Sequence, residues 1–94
     1  MLTTKQKSYL RVLAHGRKVI VQIGRAGVTP TVIGEIDAAL NHHELVKVQL
    51  VGDRDQRAEM NVKICALTRG QSVQNIGRVA VIYRPAETPR ITLP

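Results

Sequence analysis

Val19-Ile20-Val21-Gln22-Ile23-Gly24-Arg25-Ala26-Gly27-Val28-Thr29-Pro30 is the stretch that decides the fold. Its first five residues are four β-branched aliphatics and one glutamine, a composition that favours extended backbone. With little alternation among them, the strand is expected to be covered on both faces. Gly24 and Gly27 can then adopt dihedrals closed to other residues and let a ligand approach the backbone closely. Thr29 fits a helix N-cap and Pro30 the first helical position. A strand passing through a tight Gly-x-x-Gly loop into a helix is a β-α unit, so the chain reads as α/β.

Upstream, Thr3 and Gln6 have capping-box spacing, and Gly16 is a natural stop, which places a helix between them. Leu10, Leu13 and Ala14 form its inward stripe, while Lys7 and Arg11, four apart, share a solvated face. Downstream of Pro30, the residues Val32, Ile33, Ile36, Ala39, Leu40 and His43 keep a helical period. Gly34 inside that helix costs about 1 kcal/mol in propensity, which predicts close packing at that point. Leu45–Val51 alternates as a strand with Val46, Val48 and Leu50 on its buried face.

Asp53 caps a third helix with Met60, Ile64 and Leu67 on its stripe and Gly70 at its end. Val73–Ile76 and Val79–Tyr83 are strands joined by Gly77-Arg78, a two-residue turn with glycine first. The order α-β-α-β-α-β-β predicts a compact two-layer or sandwiched domain with a four-stranded mixed sheet. Its two β-α-β crossovers imply parallel pairs, and its last hairpin an antiparallel pair. A single domain is expected over residues 1–85, followed by a loosely held tail, 86–94, with Pro85, Pro89 and Pro94 around it.

Charge is polarised along the 94 residues. Residues 1–27 carry Lys5, Lys7, Arg11, Arg17, Lys18 and Arg25 and no acid. Residues 28–68 hold four bases against Glu35, Asp37, Glu44, Asp53, Asp55 and Glu59, and the remainder is again basic, for a net +7. Such a distribution predicts one basic face suited to phosphates and one neutral or acidic face. Two tyrosines and no Phe or Trp leave little for base stacking, so contacts must rely on charge and backbone geometry. A lone cysteine, Cys65, excludes an internal disulfide and fits a reducing compartment. No apolar run is long enough to span a bilayer, and no signal-peptide core precedes the first helix, so a cytoplasmic location is expected.

By itself the Gly-x-x-Gly loop is compatible with a plain strand-to-helix turn. Its position before a helix N-terminus, Arg25 at its centre and its acid-free flanks favour a phosphate grip instead. No Gly-Lys-Ser/Thr follows, which excludes a Walker loop, and the third glycine of the dinucleotide fingerprint is missing. Adjacent His42 and His43 point about 100° apart on a helix and make poor co-ligands, so no metal or cofactor is expected. No nucleophile-base arrangement supports catalysis. Arg78 at the hairpin tip and Arg84 after Tyr83 complete the candidate phosphate contacts.

Five ordered segments carry a family likeness. They are Leu2-Thr3-x-Lys5-Gln6-x-x-x-Leu10, Val21-Gln22-Ile23-Gly24-x-x-Gly27, Glu35-Ile36-x-x-Ala39-Leu40, His43-Glu44-Leu45-Val46-Lys47-Val48, and Ile76-Gly77-Arg78 with Tyr83-Arg84-Pro85. The chain resembles the CRM domain (chloroplast RNA splicing and ribosome maturation), and among its members the stand-alone bacterial YhbY-like proteins. That resemblance implies a fold similar to the C-terminal domain of bacterial translation initiation factor three. It also implies RNA binding through Gly24, Arg25, Ala26 and Gly27, a loop like the one by which KH domains clamp a nucleic-acid backbone. Ribosomal RNA in precursors of the large ribosomal subunit is the implied partner. Lys5, Lys7, Arg11, Arg17 and Lys18 would extend the electrostatic track. Two further readings stay open: a protein-interaction module docking on a ribosomal protein or assembly factor through the acidic middle, and, ranked last, an enzyme acting on a phosphorylated small molecule.

Overall fold

Reciprocal hydrogen bonds fix the helix starts. Thr3 Oγ1 accepts the Gln6 amide at 3.1 Å while Gln6 Oε1 accepts the Thr3 amide at 3.0 Å, in front of α1 (Thr4–His15). Thr29 Oγ1 accepts the Val32 amide at 3.2 Å and opens α2 (Pro30–His43). Asp53 and Gln56 repeat the reciprocal pair at α3 (Arg54–Thr68), both bonds 2.8 Å. The computed structural model describes residues 1–94. Four strands complete it: β1 (Val19–Gln22) and β2 (Leu45–Gln49), each between two helices, then β3 (Gln71–Ile76) and β4 (Val79–Tyr83) after α3.

The sheet order is β1-β2-β4-β3, with β1 and β2 parallel and β4 antiparallel to both its neighbours. Only the first crossover therefore makes a parallel pair. The second delivers β3 in the same direction as β2, but β4 lies between them. Composition explains the insertion: β4 is apolar throughout and takes the centre, whereas β3 carries Gln71, Ser72, Gln74 and Asn75 and takes an edge. Gly77, at φ 55°, makes the reversal possible.

Two cores result, one on each face. Val21, Ile23, Val46, Val48, Leu50, Ala80 and Ile82 pack against Ile36 and Leu40 of α2 and Ile64 of α3. Leu45, Val73, Val81 and Tyr83 pack against Leu2, Leu10 and Ala14 at α1. The sheet is thus sandwiched, but unevenly. α1 lies over β2, β4 and β3, and β1 is an edge strand in which Val21 is buried while Ile20 and Gln22 are exposed. This corrects the expectation of a strand covered on both faces: its β-branched run reflects edge propensity as much as burial.

Three packing expectations also change. Gly34 is exposed, with no atom within 4 Å of where a Cβ would stand, so no close approach explains it. Leu67 is 56% exposed, and His43 is exposed as well. The buried face of α3 contains polar residues that hydropathy discounts: Asn61 Nδ2 donates to Ser72 Oγ at 3.1 Å, and Thr68 Oγ1 to the Ile64 carbonyl at 2.7 Å. Finally, the segment after Pro85 is held firmly. The Glu44 carboxylate accepts the amides of Ala86, Arg90 and Ile91 at 2.8–3.0 Å, and Ile91 and Leu93 pack against the α1-side core.

Candidate nucleic-acid interface

The loop stands where the parallel strands end, the position at which open α/β sheets bind ligands. The Gly27 amide donates to the Gly24 carbonyl at 3.0 Å, which closes residues 24–27 into a turn. Gly27 sits at φ 74°, in the left-handed region where a side chain is strained. The space a Cβ would occupy is empty at both Gly24 and Gly27, so the outer surface of the turn is open. The amides of Arg25, Ala26 and Val28 donate to no carbonyl of the fold, and Arg25 is exposed and unpaired. Pro30 removes one amide from the first turn of α2 and Thr29 takes that of Val32, leaving Thr31 as a further open donor. Free amides, a positive helix end and a fixed cation thus share one junction.

Across a shallow cleft of about 360 Å³ from Arg25 stand Gln56, Glu59, Met60 and Lys63 of α3. Lys63 is the functional candidate that sequence reasoning missed. It lies in the acidic middle segment, and only the packing of α3 beside α2 brings it to the loop. At the same end, the exposed Arg78 of the β3–β4 turn is anchored through its carbonyl, which accepts the Leu50 amide at 2.6 Å.

The other candidates lie elsewhere. Arg84 is at the opposite end of the sheet and is occupied: it donates to Asp37 Oδ1 at 2.6 Å, Asn41 Oδ1 at 2.7 Å, and the carbonyls of Thr68 at 2.7 Å and Asp37 at 3.1 Å. It clamps α2, α3 and β4 together. Arg17 is half-buried, and its Nη1 donates to the carbonyls of His43 at 3.0 Å and Leu45 at 2.9 Å. Lys5 and Lys18 are exposed, and Lys7 and Arg11 flank the buried stripe of α1. Arg17 and Lys18 immediately precede β1, so they stand at the end of that strand away from the loop. Arg11, Arg17 and Lys18 gather beside the uncovered part of the sheet instead.

The acidic middle is likewise dispersed: Asp37 pairs with Arg84, Glu44 holds the C-terminal segment and Asp53 caps α3. Burial disfavours the charged form of Glu44, but the three amides and Arg90 outweigh it and hold the carboxyl below its ordinary value of 4.5. Burial pushes the Cys65 thiol up, away from the thiolate form that a nucleophile needs. Tyr83 is buried in the α1-side core and offers no stacking platform. No three His, Cys, Asp or Glu side chains cluster as metal ligands, and no helix is long and apolar enough to cross a membrane.

Comparison with known proteins agrees with this architecture. A relative from Haemophilus influenzae named "RNA-binding protein" is 45% identical over 94 residues, covering 99% of this chain and 95% of the relative. "Probable RNA-binding protein YqeI" of Bacillus subtilis is 40% identical over the full length of both chains. The solution structure of the hypothetical protein SAV1595 from Staphylococcus aureus superposes with a TM-score of 0.86 at 43% identity, covering both chains completely. The family model for the CRS1 / YhbY (CRM) domain matches residues 2–84. A common fold, full-length likeness and this match lead to one conclusion: the chain belongs to the CRM domain family.

Proposed function

We propose that this protein is a non-catalytic RNA-binding factor that holds ribosomal RNA in precursors of the large ribosomal subunit. The observation that carries the reading is the 24–27 turn, where unpaired amides, the free Arg25 guanidinium and the start of α2 meet with no structural task. RNA phosphates are the ligand that matches this set, because amides and a guanidinium fork both donate to phosphate oxygens. Arg78 and Lys63 extend the same surface on either side. Relatives named as RNA-binding proteins support the ligand class, and the ribosomal address is what the resemblance to the CRM family implies. With no aromatic platform at the turn, contacts go to the backbone and sequence preference is weak. Ultraviolet crosslinking in cells, followed by sequencing of the bound RNA, tests the assignment. Reads concentrated on precursor large-subunit RNA are expected; reads spread over cellular RNA in proportion to abundance would overturn it.

A further inference from the structure

β1 has no helix over its outer face, and the open area it leaves is basic. A cleft of about 490 Å³ there is lined by Arg17, Lys18, Lys47 and Arg90, with Ile20 on its apolar side. A second, of about 290 Å³, runs between α1 and the sheet, lined by Arg11, Arg17, Lys47, Ile76 and Val79. Arg17 and Lys47 line both, so the two make one trough across the sheet face.

Charge within the trough is unbalanced. The molecule has two salt bridges, Arg84–Asp37 and Arg90–Glu44, and the second supplies the only carboxylate lining either cleft. That carboxylate is already occupied by three main-chain amides. Lys18 is exposed, Lys47 is half-buried, and neither pairs with an acid. Lys47 is half-buried in mid-strand with no acid beside it, so its ammonium is open to an anion from outside. The trough also exposes aliphatic surface, with Ile20 49% and Ile76 58% accessible. Cations beside exposed aliphatics suit a single-stranded nucleic acid, whose phosphates pair with the former while sugars and bases cover the latter. A duplex keeps its bases stacked inside and has no use for the apolar part.

We infer that this trough is a second RNA site, which takes a single-stranded segment across the open sheet face with its phosphates against Lys18, Lys47 and Arg17. The inference rests on the RNA-binding reading above but uses different residues. The start of β2 is five residues from Leu50, roughly 17 Å from the end that carries the 24–27 turn. One strand can therefore engage both sites, with the second contact favoured by the high effective concentration the first creates.

The test is fluorescence anisotropy of a labelled single-stranded oligouridylate on the full chain over a salt series. Lys18→Gln/Lys47→Gln is expected to weaken binding on the order of tenfold and to flatten the salt slope by about 1.4, two single-strand phosphate contacts at ~0.7 each. The same relative loss is expected in an Arg25→Glu background. Lys18→Gln alone, on an exposed side chain that cannot disturb the core, should give about half the slope change. Wild-type affinity and slope in the double variant, with loss confined to Arg25→Glu, would overturn the trough and leave the turn standing. Loss in the double variant with none in Arg25→Glu would support the trough and remove the turn. Absence of binding by the wild-type chain would remove both.

Discussion

Glu44 adopts φ 61° and ψ −35°, a sparsely populated conformation that costs a residue with a side chain about 1–3 kcal/mol. Its side chain explains the tolerance. The position ends α2, with its amide on the Leu40 carbonyl at 2.9 Å, and aims a buried carboxylate at the three amides of the C-terminal segment. Because the folded-state pKa lies below the ordinary 4.5, the stabilisation is fully present above that value and is lost as the pH falls through the lowered folded pKa. Glu44→Gln is predicted to lower stability by about 2 kcal/mol, the scale of hydrogen bonds to a charged group. It should also remove part of the acid dependence below pH 4.5. Urea titrations at neutral pH and at pH values below 4.5 check both; equal stability of the two proteins at neutral pH contradicts the latch. Nothing local in the sequence reveals this role. Glu44 belongs to a family-like segment, but its partners are more than 40 residues away. Arg25 and Arg84 make the same point: their charge is readable, whereas what each meets is set by tertiary packing.

At the scale of elements, legibility was high wherever the signal is local. The Thr3–Gln6 and Asp53–Gln56 boxes, the Thr29-Pro30 start and the Gly77 turn each form within a few residues, and all are found in the fold. Strand order was less legible, because β4 reaches the centre through competition among apolar surfaces across the chain. α3 was misread at Leu67, since its buried face relies on Asn61 and Thr68 satisfying their own hydrogen bonds. Arg84 links these elements, tying the end of β4 to the C-terminal half of α2 and to the last residue of α3. Replacing it by Met should cost about 2–3 kcal/mol of stability through the lost charged hydrogen bonds, after discount for a half-exposed Asp37. RNA affinity of the folded protein should be unchanged. Denaturant unfolding and RNA titration of Arg84→Met separate the two roles, and a weakened RNA complex with normal stability would restore Arg84 to the binding surface.

Over the whole molecule, the fold sorts its cations by use. At one end of the sheet Arg84 and Arg90 secure the helix ends and the C-terminal segment. At the other, Arg25, Lys63 and Arg78 have no internal acidic partner and flank a turn with open amides. The net charge of +7 points to a polyanion partner, but only the fold separates structural from available charge. The turn itself was legible because strand, glycines, cap and proline are contiguous. Lys63 and the trough along β1 were not, because they exist only once α3 has packed and α1 has left an edge strand open.

The central claim is that the 24–27 turn grips an RNA backbone mainly through charge, and equilibrium RNA binding across a salt series for wild type and Arg25→Glu addresses it directly. The account predicts a linear fall of log affinity with log salt for the wild type. Arg25→Glu should bind on the order of tenfold more weakly, with a slope shallower by about 0.7 and an unchanged melting temperature. Salt-independent affinity, or an Arg25→Glu protein that binds as the wild type does, would contradict it.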